Sequence, residues 1–122
     1  TAPYLQYAHA RICSIFRKSS ISRESTINSE ILVVNDFEKS LSKSIIGFSE
    51  SIDETINSYS PHRLAVYLHN LAQDFASFYE NCPVLVSNDD NTMNSRLALC
   101  NLTARTLKTG LGLLGIETPE IM

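Results

Sequence analysis

The chain has 122 residues, 43% of them apolar, with four glycines, four prolines and a net charge of −3. That length holds one domain with one core, and so little Gly and Pro favours long helices over many turns. No run approaches the roughly 18 apolar residues of a membrane span. Cys13, Cys82 and Cys100 form no CxxC pair, which argues against a disulfide frame or a zinc site and for reduced, packed thiols in a cytoplasmic protein. The opening Thr1-Ala2-Pro3 resembles no signal peptide and suits a piece of a longer chain.

In chain order, residues 3–20 read as a helix, because Leu5, Ala8, Ile12, Ile15 and Phe16 recur at three- and four-residue spacing. Residues 21–35 are Ser-rich and read as a loop despite the apolar run at 31–34. A second helix is expected from Asp36 to Ile46, with Phe37, Leu41 and Ile45 inward and Gly47 as its C-terminal cap. A third, over 49–58, carries Ile52 and Ile56. The fourth has the clearest start, with Ser60 as N-cap and Pro61 at the first helical position. Its core face holds Leu64, Leu68, Leu71, Ala72, Phe75, Phe78 and Tyr79, and it must end before Pro83. Residues 86–93 read as a polar loop. The fifth helix, about 94–114, has Cys100, Ala104, Leu107, Leu111 and Leu114 in its stripe, widened by Leu99, Leu102 and Leu113, so burial on two sides is expected. Gly115 closes it. The whole is a single all-α bundle of about five helices spanning 1–122.

Charge is unevenly spread. Residues 1–23 hold Arg11, Arg17, Lys18 and Arg23 and no acid, and residues 93–116 hold Arg96, Arg105 and Lys108 and no acid. Between them lie eleven acids against three bases. Paired end helices would make one positive surface for a polyanion. The competing reading is an acidic middle that merely faces solvent.

No active site is legible. Gly110-Leu111-Gly112 lies inside a helix pattern with no strand before it, so it is no phosphate loop. His62 and His69 fall on the polar face of the fourth helix with no carboxylate at ligand spacing. Serine is abundant, but no nucleophile–base pair stands out. Binding is the better expectation.

Tyr7, Arg11, Ser14 and Lys18 share one face of the first helix, away from its apolar stripe, and Tyr4 adjoins them. A ring beside cations suits single-stranded RNA, where bases stack on aromatics and phosphates need charge. An ordinary wet helix face has the same spacing. Arg96 falls on the core side of the fifth helix, in a first turn where the helix dipole disfavours a cation. It therefore needs a partner, either a buried carboxylate or a phosphate or base.

Four blocks, in order, carry a resemblance. They are Pro3 to Arg11, Pro61 to Ala72, Phe75 to Leu85, and Arg96 to Leu99 with Gly110 to Ile116 and a terminal methionine. Together they are similar to the C-terminal anticodon-binding domain of class I arginyl-tRNA synthetases, the DALR-type fold. The resemblance implies an enzyme that attaches arginine to its tRNA with ATP and Mg2+. The catalytic signatures, of His-Ile-Gly-His and Lys-Met-Ser-Lys-Ser type, are missing here, so the fragment would bind no cofactor and catalyse nothing alone. It implies contacts to the anticodon stem-loop through Tyr7 and Arg11, with Lys18 on the same stripe, through the loop from Cys82 to Val86, and through Met122; Arg96 is a candidate beside them. The loop lacks the aromatics that some relatives carry, so apolar or backbone contact is expected there. The partner would be arginine tRNA and not DNA or a membrane, and the protein a monomer. Two other readings stand beside this one: a helical protein-interaction module, and the anticodon domain of a glycyl-tRNA synthetase β subunit.

Overall fold

A computed structural model describes residues 2–86 and 89–122. Five helices carry the fold: α1 (Ala2–Ser19), α2 (Asp36–Ile46), α3 (Phe48–Ser58), α4 (Pro61–Asn81) and α5 (Asp90–Leu113), with one 3-10 turn at Glu24–Thr26. No strand occurs among the described residues. The expected all-α bundle is what forms. The segment between α1 and α2 is irregular apart from the 3-10 turn, as the Ser-rich composition suggests.

α4 packs against all four other helices, and α5 packs against α1, α2, α4 and the 3-10 turn. The core lies on these two helices. From α4 it takes Leu64, Leu68, Leu71, Phe75 and Phe78, and from α5 Leu97, Leu99, Ala104, Leu107 and Leu111. α1 closes one side with Leu5, Ile12, Ile15 and Phe16. α5 approaches α4 closely at Gly110, where an added Cβ would sit 2.6 Å from Leu68 Cδ2.

Helix ends follow local chemistry. Asn35 caps α2 by accepting from the Glu38 N–H, while the Glu38 side chain accepts from the Asn35 N–H, a reciprocal capping box. α5 ends in a Schellman turn: Gly115 takes φ +75°, and the Ile116 N–H donates back to the Leu111 carbonyl at 2.9 Å. Two expectations need correction. Ser60 holds the N-cap position of α4, but its hydroxyl makes no capping bond. The polar stretch expected to run as a loop through residue 93 gives way to helix at Asp90, because Asp89 caps α5 by accepting from the Asn91 N–H. Ser87 and Asn88, also in that stretch, lie outside the described residues.

Some expected core positions face water. Phe37, Ile56, Tyr79 and Leu113 are 39%, 64%, 36% and 61% exposed. In α2 the reason is its start: the capping box turns Glu38 inward, where it is buried beside Leu41, and pushes its neighbour Phe37 outward. α3 buries Ser51 and leaves Ile56 exposed; its main packing is on α4, with a smaller contact to α2. α5 is buried on several sides, as expected, though Leu113 projects from its last turn.

Candidate nucleic-acid interface

α1 sets the geometry. Its buried face is fixed by the apolar stripe, so helical spacing directs Tyr7, Arg11 and Lys18 to solvent and leaves Ser14 half-buried. Arg11 and Lys18 share one groove, and Arg11 also lines another with Tyr7. The Arg11 guanidinium lies 5.8 Å from the centre of the Tyr79 ring on α4, a cation–π distance. Tyr79 in turn stacks on Phe75, with centroids 6.0 Å apart and planes at 14°. Between α1 and α4 opens a groove of about 610 Å³, lined by Arg11, Ser14, Lys18, Tyr79 and Glu80 among others. α1 and α5 do pack together, but the wall facing Arg11 and Lys18 is α4. That wall includes an acid, Glu80.

The tail after α5 returns along α1. Gln6 Nε2 donates to the Glu117 carbonyl at 2.8 Å, and Arg17 Nη1 donates to the Glu120 carbonyl at 3.3 Å. His9 Nδ1 lies 3.4 Å from the Pro119 carbonyl. The return brings Met122, 54% exposed, to a second groove of about 320 Å³ with Tyr7, Arg11, Ser14 and Arg17. Tyr7, at 59% exposure, presents most of its ring there. Three residues singled out from sequence, Tyr7, Arg11 and Met122, are thus brought together, and Lys18 extends the same line.

The other three lie elsewhere. Cys82 is fully buried, its Sγ 3.3 Å from Asn35 Nδ2. Arg96 has found a carboxylate: its Nε faces Glu38 Oε2 at 3.5 Å, an ionic contact without hydrogen-bond geometry. Arg96 Nη1 also donates to the Pro83 carbonyl at 2.7 Å. Both residues therefore hold the loop after α4 from beneath. Val86, 77% exposed, stands on its outside.

Three further placements bear on the site. Asn101 is buried and accepts from Arg23 Nε at 2.9 Å. His69 is half-buried with its ring 5.3 Å from that of Tyr4, while His62 is exposed. Tyr79 was read as core, yet it is 36% exposed and its ring lies under Arg11.

Among the described residues no group of three or more His, Cys, Asp or Glu is placed to hold a metal ion. No helix among them is long and apolar enough to cross a membrane. All three cysteines are buried and unpaired, and burial pushes the Cys100 thiol up to about 12. These are packing groups, not nucleophiles.

Residues 5–122 match the DALR anticodon binding domain. The chain belongs to that family. Over all 122 residues this DALR chain is 48% identical to the arginine–tRNA ligase of Proteus mirabilis, of which it spans 21%. In structure it is similar to the arginyl-tRNA synthetase of Thermus thermophilus, with TM-score 0.84 and 35% identity. It is also similar to that of Plasmodium falciparum, with TM-score 0.89 and 36% identity. In each structural match all of this chain covers 21% of the other. The DALR chain therefore spans about a fifth of the length of these relatives. What the sequence of this DALR chain did not disclose is the seam on α1 that meets the tail. Gln6 and His9 sit one and two positions away from Tyr7, and their partners are backbone carbonyls more than a hundred residues distant. No residue-type pattern marks such a contact.

Proposed function

We propose that this chain is the anticodon-holding part of an arginine–tRNA ligase. It grips the anticodon stem-loop of arginine tRNA while the remainder of a larger class I enzyme, with ATP and Mg2+, attaches arginine. We assign that chemistry to the rest of such an enzyme, of which this chain spans about a fifth. We read the protein as a cytoplasmic monomer whose partner is RNA and not DNA.

One observation carries the reading. An exposed aromatic ring, a cation and a flexible thioether, Tyr7, Arg11 and Met122, line one groove. Unpaired bases stack on rings, and phosphates seek guanidinium groups. Lys18 continues the charge along α1, and Val86 offers an apolar contact from the loop held by Cys82 and Arg96. The family membership and the likeness to arginine–tRNA ligases supply the identity of the RNA.

The test is titration of a fluorescent arginine anticodon stem-loop. Tyr7→Ala is expected to weaken binding by about 1–3 kcal/mol, the contribution of one base–aromatic stack. Arg11→Ala should also weaken it, and should lower the salt slope by about 0.7, one single-strand phosphate contact. Both substitutions are on exposed positions and should leave helicity intact. Parental affinity in both variants would sink the assignment. No binding by the parent at low salt would favour a protein-interaction module instead.

A further inference from the structure

The last six residues lack secondary structure of their own. Glu117, Pro119 and Glu120 are exposed, and Ile121 and Met122 are 74% and 54% exposed. Beyond Ile116, which packs on the core, apolar burial does little to fix this segment. What meets it is a row of polar side chains on α1: Gln6, His9 and Arg17, each paired with a tail carbonyl. Their spacing puts them on one helical seam. The neighbouring seam is the one bearing Tyr7, Arg11 and Lys18.

His9 is the informative member. A carbonyl can only accept, so the 3.4 Å contact with Pro119 is a hydrogen bond when Nδ1 carries the ring proton; Cys13 Sγ lies 3.8 Å from the same nitrogen. Nε2 is then a buried lone pair, and no described residue bonds it. A buried polar atom without a partner destabilises. Leucine would fill the same space without that loss, but it could not hold Pro119. The position thus suits the tail contact better than it suits packing.

We infer that Gln6 and His9 are positioning residues: they seat the C-terminal tail on α1 so that Met122 completes the RNA groove with Tyr7. This rests on the function proposed above and deepens it. Neither residue touches the RNA; each acts through the backbone of the tail. Arg17 shares the seam, but its own charge would confound a test.

Three variants of the chain separate the possibilities: Gln6→Ala, His9→Leu and His9→Asn, the last keeping a donor near the Nδ1 position. Carboxypeptidase Y digestion followed by mass spectrometry reads the seating of Ile121 and Met122. Titration of the arginine anticodon stem-loop reads its use. Gln6→Ala and His9→Leu should each release Met122 about fivefold faster and bind the stem-loop about fivefold more weakly, the effect of one net hydrogen bond. His9→Asn should recover most of both. Parental trimming rates in Gln6→Ala and His9→Leu would overturn the seating. Faster trimming with unchanged RNA affinity would overturn the positioning role. If the parent chain binds no stem-loop, the proposed function falls, and the digestion still decides whether these side chains hold the tail. Gln6→Ala alters only a half-buried side chain, so it stays decisive even if His9→Leu fails to fold.

Discussion

Gly110 and Gly112 stand near the end of α5 in opposite surroundings. A Cβ on Gly110 would lie 2.6, 3.0 and 3.2 Å from Cδ2, Cδ1 and Cγ of Leu68, which is itself fully buried and has nowhere to move. A Cβ on Gly112 meets nothing within 4 Å. Gly110→Ala is therefore expected to destabilise by about 1–3 kcal/mol through overpacking. Gly112→Ala should stabilise by roughly 0.5–1 kcal/mol, because alanine loses less backbone entropy in a helix. Urea titrations of the two variants check both signs; equal shifts would contradict the close α4–α5 approach. At this scale the sequence was only half legible. The two glycines look alike in a helical pattern, and what separates them is a leucine more than forty residues away. Tyr79 is similar: the spacing from Phe75 marks its contact with the core, not its contact with Arg11.

Between elements, the Arg96–Glu38 contact ties together α2, α5 and the segment after α4. Glu38 Oε1 accepts from the Val34 and Asn35 N–H groups at 3.2 and 3.0 Å, fixing the start of α2. Its Oε2 faces Arg96 on α5, and Arg96 reaches the carbonyl of Pro83 after α4. With side-chain exposures of 1% and 15%, the pair is largely desolvated. Arg96→Ala would leave Glu38 buried without its cation, at a cost of about 3–5 kcal/mol. Thermal unfolding of Arg96→Ala beside the double variant with Glu38→Gln measures the coupling; strict additivity would mean the two do not interact. The oddness of Arg96, a cation on the core side of α5, was visible in the sequence, although the earlier start of α5 at Asp90 puts it in the second turn and not the first. Its partner was not, because a glutamate three residues after Asn35 signals a surface capping box, and burial of that box depends on where α5 passes. The helices and most of their bounds were legible because Pro61 and the apolar periodicity act locally, whereas the start of α5 was missed.

For the molecule as a whole, net charge says less than arrangement. The cations of α1 find their groove against α4, which no charge count along the chain could disclose. Stability should also carry a pH signature from His9. Burial lowers its pKa below the usual 6.5, opposed in part by the Pro119 bond and by nearby Glu120, and reinforced by Arg23 and Lys108. Cys13, the other titratable neighbour, lies 3.8 Å from Nδ1. The unfolded chain therefore binds a proton at a higher pH than the folded one does. Stability from this group is full above about pH 6.5 and declines as the pH falls toward the folded pKa. The midpoint of unfolding should drop between pH 7 and 5, and His9→Asn should flatten that drop. An identical pH profile for parent and variant would show that the ring titrates freely.

The bond from Gln6 to the Glu117 carbonyl spans 111 residues. Most helical bundles fold quickly because their contacts are local, whereas this groove needs a loop nearly as long as the chain to close. Refolding should then proceed in two observable stages, helix formation and core collapse first, RNA affinity afterwards. A polypeptide that lacks either α1 or the tail would present half a groove. Binding competence thus reports that both distant segments have been made, folded and joined.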